Sequence, residues 1–369
     1  MTPNILVLNW QDISNPLAGG AEVHLHQIFK RIAAKNYHVI LGCCSYENAK
    51  INENIDGIDI IRRGRRNVFN FIVPGLYKSI RSKYKIDIVI DDINKIPFYT
   101  PLYVKEPIVG IVHHLFGKSI FSEASLPGAV YVNLSELLIP YIYKNVPISV
   151  VSNSTRQELL NKGLSSDKMT LVQNGVDLNH YKINDTKRSE TPLIGYLGRI
   201  KKYKNIDHAL KAFVNVRSKL PDIRMIIIGD GDYIQNLKNY SASLGLANSV
   251  EFTGMVSEEK KVDLLNKLWF TINPSSKEGW GLTVIESNAC GLPVVAADSP
   301  GLRDSVVHEK TGLLYPHGNI DTLTDYMITL VKNEKLRNTL SENAIGWSRE
   351  FDWDNSANQM LHLIENVLN

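Results

Sequence analysis

The chain has 369 residues, 44% of them hydrophobic and 21% charged, with a formal net charge of +3. That length exceeds one ordinary core and suits two domains of about 180 residues each, and so small a charge gives no electrostatic case for nucleic acid. Cys43, Cys44 and Cys290 offer no zinc spacing, the N-terminus carries no leader pattern, and no apolar run approaches the roughly 20 residues that span a bilayer, so a cytoplasmic protein is expected, in solution or at the inner face of the cytoplasmic membrane.

Short apolar runs alternate with helical periodicity from end to end, which predicts parallel α/β architecture. Strands are expected at 4–9, 38–43, 58–62, 86–90, 108–113 and 148–152, with an amphipathic helix over 22–35 whose inner face carries Ile28, Phe29, Ile32 and Ala33. The polar run 184–192 reads as a linker. The pattern then restarts, with strands at 193–197, 224–228, 250–252, 268–273 and 294–297, and helices at 205–219, 233–245, 257–267, 282–290 and 321–345. The fold class that follows is two doubly wound, Rossmann-like domains facing a central cleft: 1–184, 190–348, and a tail, 349–369. Ligands of such sheets bind beyond the carboxyl ends of the strands, where the distinctive residues fall.

Residues 278–286 read Glu-Gly-Trp-Gly-Leu-Thr-Val-Ile-Glu, two carboxylates around a Gly-aromatic-Gly turn that opens a helix. Glycines allow close approach to a ligand, and the first N–H groups of the helix suit phosphate. Glu278 and Glu286 would repel phosphate, so they should serve hydroxyl groups, for which ionised carboxylates are pure acceptors. A phosphorylated, hydroxyl-rich ligand is a nucleotide sugar. Gly198 and Arg199 follow the first strand of the second half, with Lys204 five residues on from Arg199. A guanidinium fork and an ammonium suit a diphosphate, although Lys201 and Lys202 also fit a solvated basic loop.

Gly19 and Gly20 precede a helix start, a weak anion-site signal equally read as a structural turn. His113 and His114 end a strand on opposite faces, so one reaches a ligand while the other packs; a structural histidine is the plainer reading. Asp230-Gly231-Asp232 has the spacing of a metal-binding pair but lacks further oxygen ligands. His24 and His26 sit two apart on a helix and cannot share a face. Neither GxGxxG with a following acid nor GxxxxGK[ST] occurs, which speaks against dehydrogenases and P-loop enzymes.

Taken in order, Gly-Gly-Ala-Glu at 19–22, Ile-Val-His-His-Leu at 111–115, Asn-Gly-Val-Asp at 174–177, Gly-Arg-(x4)-Lys-Asn at 198–205 and Glu-x7-Glu at 278–286 resemble the retaining glycosyltransferases of family 4, which have the GT-B fold. The tail 347–369 resembles their last helix, which crosses back to the first domain. The resemblance implies a retaining hexosyltransferase that needs no metal and no cofactor beyond its nucleotide-sugar donor. It assigns Arg199 and Lys204 to the donor diphosphate, Glu286 to the ribose, Glu278 with the backbone of Gly279, Trp280, Gly281 and Leu282 to the donor sugar and distal phosphate, and Thr283 to the donor site. It assigns Met255 and Val256 to the nucleobase, His113 to the reacting sugar, and Gly19, Gly20 and Gly198 to the donor-binding turns. Ser287-Asn288 departs from the family's small apolar residues at those positions. The alternatives are a nucleotide-sugar epimerase or hydrolase of this fold and a non-catalytic sugar-nucleotide binding subunit.

The hydroxyl acceptor is expected on the first domain. Between 62 and 85 the chain has eight basic residues and no acidic one, around an apolar centre that includes Phe69, Phe71 and Leu76. That pattern suits an anionic membrane surface and a lipid-linked or growing-glycan acceptor, with the apolar run 130–146 as an extension. An ordinary helix packing its apolar side on the sheet fits the same pattern.

Overall fold

Every apolar run expected as a strand forms one. The computed structural model describes residues 2–94, 96–122 and 125–369. In the first half, β1 (Asn4–Leu8), β2 (His38–Ser45), β3 (Asn52–Ile55), β4 (Ile58–Arg65), β5 (Ile88–Asp92), β6 (Ile108–Val112), β7 (Ile148–Val150) and β8 (Met169–Leu171) form one sheet in the order β3-β4-β2-β1-β5-β6-β7-β8. All pairs are parallel except β3 with β4, a hairpin whose turn residues Asp56 and Gly57 both have positive φ (51° and 84°), as a two-residue hairpin of this hand requires. In the second half, β9 (Leu193–Leu197), β10 (Arg224–Ile228), β11 (Val250–Gly254), β12 (Phe270–Asn273), β13 (Val294–Asp298) and β14 (Gly312–Pro316) form an all-parallel sheet ordered β11-β10-β9-β12-β13-β14.

The helix Gly20–Ala33 buries Leu25, Ile28, Phe29 and Ile32 against the first sheet, each of these side chains contributing about 1.5–3 kcal/mol. The C-terminal helix Trp353–Leu368 packs along that helix. Arg31 Nε lies 2.5 Å from Asp354 Oδ1, and the Tyr37 hydroxyl donates to Glu365 at 2.8 Å. The helix Trp353–Leu368 therefore belongs to the first unit.

Compact units run over 1–175 with 353–369 and over 176–352. The polar run 184–192 is accordingly no linker. Asn184 Nδ2 donates to Asp263 at 3.0 Å, and Ser189 O accepts the Trp269 indole N–H at 2.8 Å, so this run is fastened along the second unit. The expected helix 321–345 is two, Ile320–Lys332 and Glu334–Ser348, divided at Asn333, whose side chain caps the second by accepting from Leu336 N at 3.0 Å.

The basic segment 62–85 also folds otherwise than the lipid-facing expectation. Arg62 is 1% exposed; its guanidinium donates to both oxygens of Asp12 (2.7 and 3.0 Å) and to Glu53 (2.9 Å). Asp12 itself is buried, which would raise its pKa, yet the Arg62 hydrogen bonds and charge hold it below the usual value. In the helix Phe69–Arg81, the side chains of Phe69, Val73, Leu76, Tyr77 and Ile80 join a core with Leu6, Leu8, Ile40 and Val89. Most of the apolar centre of the segment is core, because a helix beside a sheet buries its apolar stripe there first, while Phe71 on the opposite side stays exposed.

Candidate active site

In the second sheet β9 lies between β10 and β12, so the chain leaves β9 toward one edge and later returns on its other side. That reversal opens a crevice beyond the strand ends, bordered by the loops that follow β9 and β12. The first loop turns at Gly198 (φ 144°) and is locked to the loop after β10. Gly198 N donates to Ile228 O at 3.0 Å and Ile200 N to Asp230 O at 2.8 Å, and a Cβ on Gly229 would stand 2.1 Å from Gly198 O. Asp230 accepts from Gly231 N (2.7 Å) and Asp232 pairs with Lys201, so both carboxylates of the Asp-Gly-Asp run serve the loop itself.

Lys204 ends the short 3-10 turn Lys202–Lys204 and reaches across the crevice to the Glu278 carboxylate. Ser276 carries the second loop to this point, with its N–H and hydroxyl both donating to Tyr203 O (3.2 and 3.1 Å). Burial alone would push the Lys204 ammonium down; Glu278, Tyr203 and Tyr196 outweigh it and hold the amine charged well above its ordinary pKa. Behind Glu278, its N–H donates to Pro300 O at 3.0 Å, and Gly301 (φ 80°) comes so near that a Cβ would lie 2.3 Å from Glu278 O. Arg199 is exposed and makes no ion pair among the described residues; its carbonyl accepts the Tyr196 hydroxyl at 3.0 Å.

The helix Leu282–Ala289 begins at Gly281 (φ 101°) with no side-chain cap, whereas Ser152, Ser257 and Asn319 cap theirs. Its first turn adjoins the Gly198 turn, where Thr283 Cγ2 would be 3.8 Å from a Cβ at Gly198. An uncapped helix start beside Lys204 and Arg199 is chemically suited to phosphate oxygens. On the same helix Glu286 is 8% exposed, and burial raises its carboxyl to about 7, with Glu258 adding to the rise and Lys261 and the Tyr181 hydroxyl opposing it. Tyr181 in turn donates to Glu258 (2.8 Å) and accepts from Lys261 (3.0 Å).

The first sheet has its own reversal at β1, between β2 and β5. After β1, Gly19 N donates to Glu22 Oε2 at 2.7 Å, so the helix start keeps its own carboxylate; Asn94, after β5, lies 3.5 Å from Glu22 Oε1. After β6, His113 Nε2 lies 3.2 and 3.3 Å from the two oxygens of buried Asp92. A carboxylate only accepts, so that nitrogen carries the proton. The His24 ring stands edge-on to His113 at 5.0 Å; burial, then the His113 charge, keep its pKa well below the ordinary value. His26 faces elsewhere, 2.9 Å from Asp56.

The description "Glycosyltransferase Family 4" matches residues 18–180 and "Glycosyl transferases group 1" matches residues 180–347. The chain belongs to the family 4 glycosyltransferases. An uncharacterised glycosyltransferase of Methanocaldococcus jannaschii is 22% identical over 92% of either chain. Sucrose-phosphate synthase from Thermosynechococcus elongatus has a TM-score of 0.86 at 20% identity, over 99% of this chain and 98% of its own. Anabaena HepE, solved with UDP and glucose, has a TM-score of 0.79 at 19% identity, over 99% and 100%. The fold of this family 4 chain is thus GT-B.

Within the second unit of this glycosyltransferase, the loops and helix start that carry the sequence-predicted residues Gly198, Arg199, Lys204, Glu278, Gly279, Gly281, Leu282 and Thr283 border one crevice, whereas Glu286, a turn further along the helix, is buried beside Tyr181. Met255 is 78% exposed and, with Val256, extends from Gly254, whose carbonyl accepts from Gly229 N at 3.2 Å beside the Gly198 turn. Only the backbone of Trp280 is placed for a ligand, since its indole is 2% exposed and packs edge-on against Phe351 at 5.0 Å. In the first unit, Gly19 and Gly20 form a turn held by Glu22, and His113 is ringed by Asp92 and His24. Sequence reading missed Asp92, although Asp91-Asp92 ending an apolar strand was a signal: Asp91 faces Thr100 and Tyr143, and Asp92 faces His113. Nothing in the sequence marks Tyr181, Glu258 or Lys261 as the surroundings of Glu286. No helix among the described residues is long and apolar enough to cross a membrane.

Proposed function

We propose that this glycosyltransferase moves a hexosyl group from a nucleoside diphosphate sugar to a hydroxyl acceptor, retaining the anomeric configuration and using no metal ion. The observation that carries the reading is the Lys204–Glu278 pair beside the uncapped helix Leu282–Ala289. When a diphosphate arrives, it competes for the Lys204 ammonium, and Glu278 is released to accept from sugar hydroxyls. Arg199 completes the clamp. Charge grows on the diphosphate as its bond to the anomeric carbon breaks, so two fixed cations stabilise the transition state more than the ground state. The acceptor oxygen bonds to that carbon on the same face, and its proton passes to the departing phosphate oxygen. Glu286 accepts from the ribose hydroxyls, and Met255 and Val256 flank the base. His113, Gly19 and Gly20 keep the roles that the family resemblance gives them.

HepE was solved with UDP and glucose, which makes UDP-glucose the first donor to try, with GDP-mannose beside it. A donor at 100 times its dissociation constant should stabilise the chain by about 2.7 kcal/mol. The bound donor is then incubated with acceptor alcohols in chelator, and the product anomer is read by NMR. An inverted product, activity lost in chelator and restored by magnesium, or hydrolysis without transfer would each defeat the proposal.

A further inference from the structure

The fold leaves an unusual set of apolar side chains in solvent. Leu126, Val130, Leu134, Leu137 and Tyr141 are between 41% and 79% exposed. Their spacing of three and four residues sets them as one stripe along the helices Leu126–Leu137 and Ile139–Ile142. The side of the longer helix that packs inward is small or polar: Ala129, Ser135 and Glu136, whose carboxylate accepts from Phe116 N (2.5 Å) and Gly117 N (2.8 Å). This reverses the usual amphipathic arrangement, in which the apolar stripe meets the core, and exposed patches of this kind mark interaction sites.

Charge sets the partner. Asn70 Nδ2 donates to the Tyr131 hydroxyl at 2.7 Å, so the stripe adjoins the start of the helix Phe69–Arg81, where Phe71 is 71% exposed. Exposed Arg63 and Arg65 lie just before it, with no acidic residue anywhere from 60 to 86. Over 126–146 the one carboxylate is Glu136, turned inward. We propose that this face, and not the core-facing centre of 62–85, seats the protein on an anionic lipid bilayer, with the leucines and aromatics at the acyl boundary and Arg63 and Arg65 on lipid phosphates. A second copy fits less well, because the same face would bring arginines together without a carboxylate to pair them.

Vesicle binding needs no substrate, so its failure is distinguishable from failure of the transferase reading. The chain is sedimented with phosphatidylglycerol–phosphatidylcholine vesicles and with phosphatidylcholine alone, at low and high salt. Binding should appear on the anionic vesicles and weaken with salt. Leu134→Asp with Leu137→Asp, and separately Arg63→Gln with Arg65→Gln, should each weaken it roughly tenfold or more, with circular dichroism and nucleotide binding unchanged. Absence of binding at low salt, equal binding to neutral vesicles, or a dimer that the aspartate variant returns to monomer would overturn the inference.

Discussion

At the β9 crevice, Lys204 and Glu278 neutralise each other across two loops, and Arg199 has no ion pair among the described residues. At the β1 crevice the corresponding charges serve their own backbone and rings: Glu22 caps Gly19, and Asp92 holds His113 against a neutral His24. The physical difference is exchangeability. A pair between side chains parts without breaking secondary structure when an incoming anion replaces one partner. A carboxylate that satisfies a helix start, or a buried ring, gives up a backbone or core contact if it moves. The Lys204–Glu278 pair of the second unit can therefore part for an incoming anion, whereas the first unit holds its groups still.

Breaking the exchangeable pair should have the largest effect. In the proposed reaction Lys204→Ala removes a cation from the leaving diphosphate, and kcat at saturating donor should fall by about 10²–10³. Glu278→Ala in the same background should add much less than it costs alone, since the two act as a unit. A kcat within threefold of the parent would remove Lys204 from the mechanism. Next in size is a backbone change. Gly301→Ala forces a Cβ to within 2.3 Å of Glu278 O at a φ of 80°, and should cost about 1–3 kcal/mol in denaturant unfolding, while Gly20→Ala, with nothing within 4 Å of its Cβ, should stay within about 0.5 kcal/mol of the parent.

The Glu286 carboxyl sharpens the contrast through pH. Its folded pKa is raised to about 7, with an ordinary value of 4.5. Between those values the folded chain holds a proton that the unfolded chain has released. The stabilisation it gives is full below about 4.5 and is lost as pH rises through about 7. Glu286→Gln should remove that slope from a plot of melting temperature against pH. In the role proposed for Glu286, ribose hydroxyls favour the ionised acceptor, so donor affinity in the parent should increase on the order of tenfold from pH 6 to pH 8, and the glutamine variant should be flat across this range.

The strands were legible because buried parallel strands are continuous apolar runs. Three edge strands were not: β3 is the polar Asn-Glu-Asn-Ile, announced only by the hairpin turn Asp56-Gly57, and β8 and β14 are short runs without a long apolar stretch. The donor loops were legible as spaced motifs, yet the joining of Lys204 to Glu278, 74 residues apart, is a product of strand order. Composition put the exposed apolar surface chiefly in 62–85 and only by extension in 130–146, where most of it lies; which side of a helix meets the sheet decides exposure, and Arg62 was consumed by Asp12. The Trp280 indole is likewise packed on Phe351, which leaves the backbone of 279–282 as the part of that turn the resemblance assigns to the donor.

The smallest effect tests whether the first crevice is as self-contained as its hydrogen bonds indicate. Glu22→Ala removes the acceptor for Gly19 N and should cost about 1 kcal/mol of stability, the usual value of a helix cap. Were the Gly19–Gly20 turn instead an anion site that Glu22 merely blocks, the same variant would expose N–H groups to phosphate, and inorganic phosphate would raise the melting temperature of the variant more than that of the parent. A loss of stability that phosphate does not repair keeps the turn structural. Repair by phosphate would give the first unit an exchangeable site of its own and erase the distinction between the two crevices.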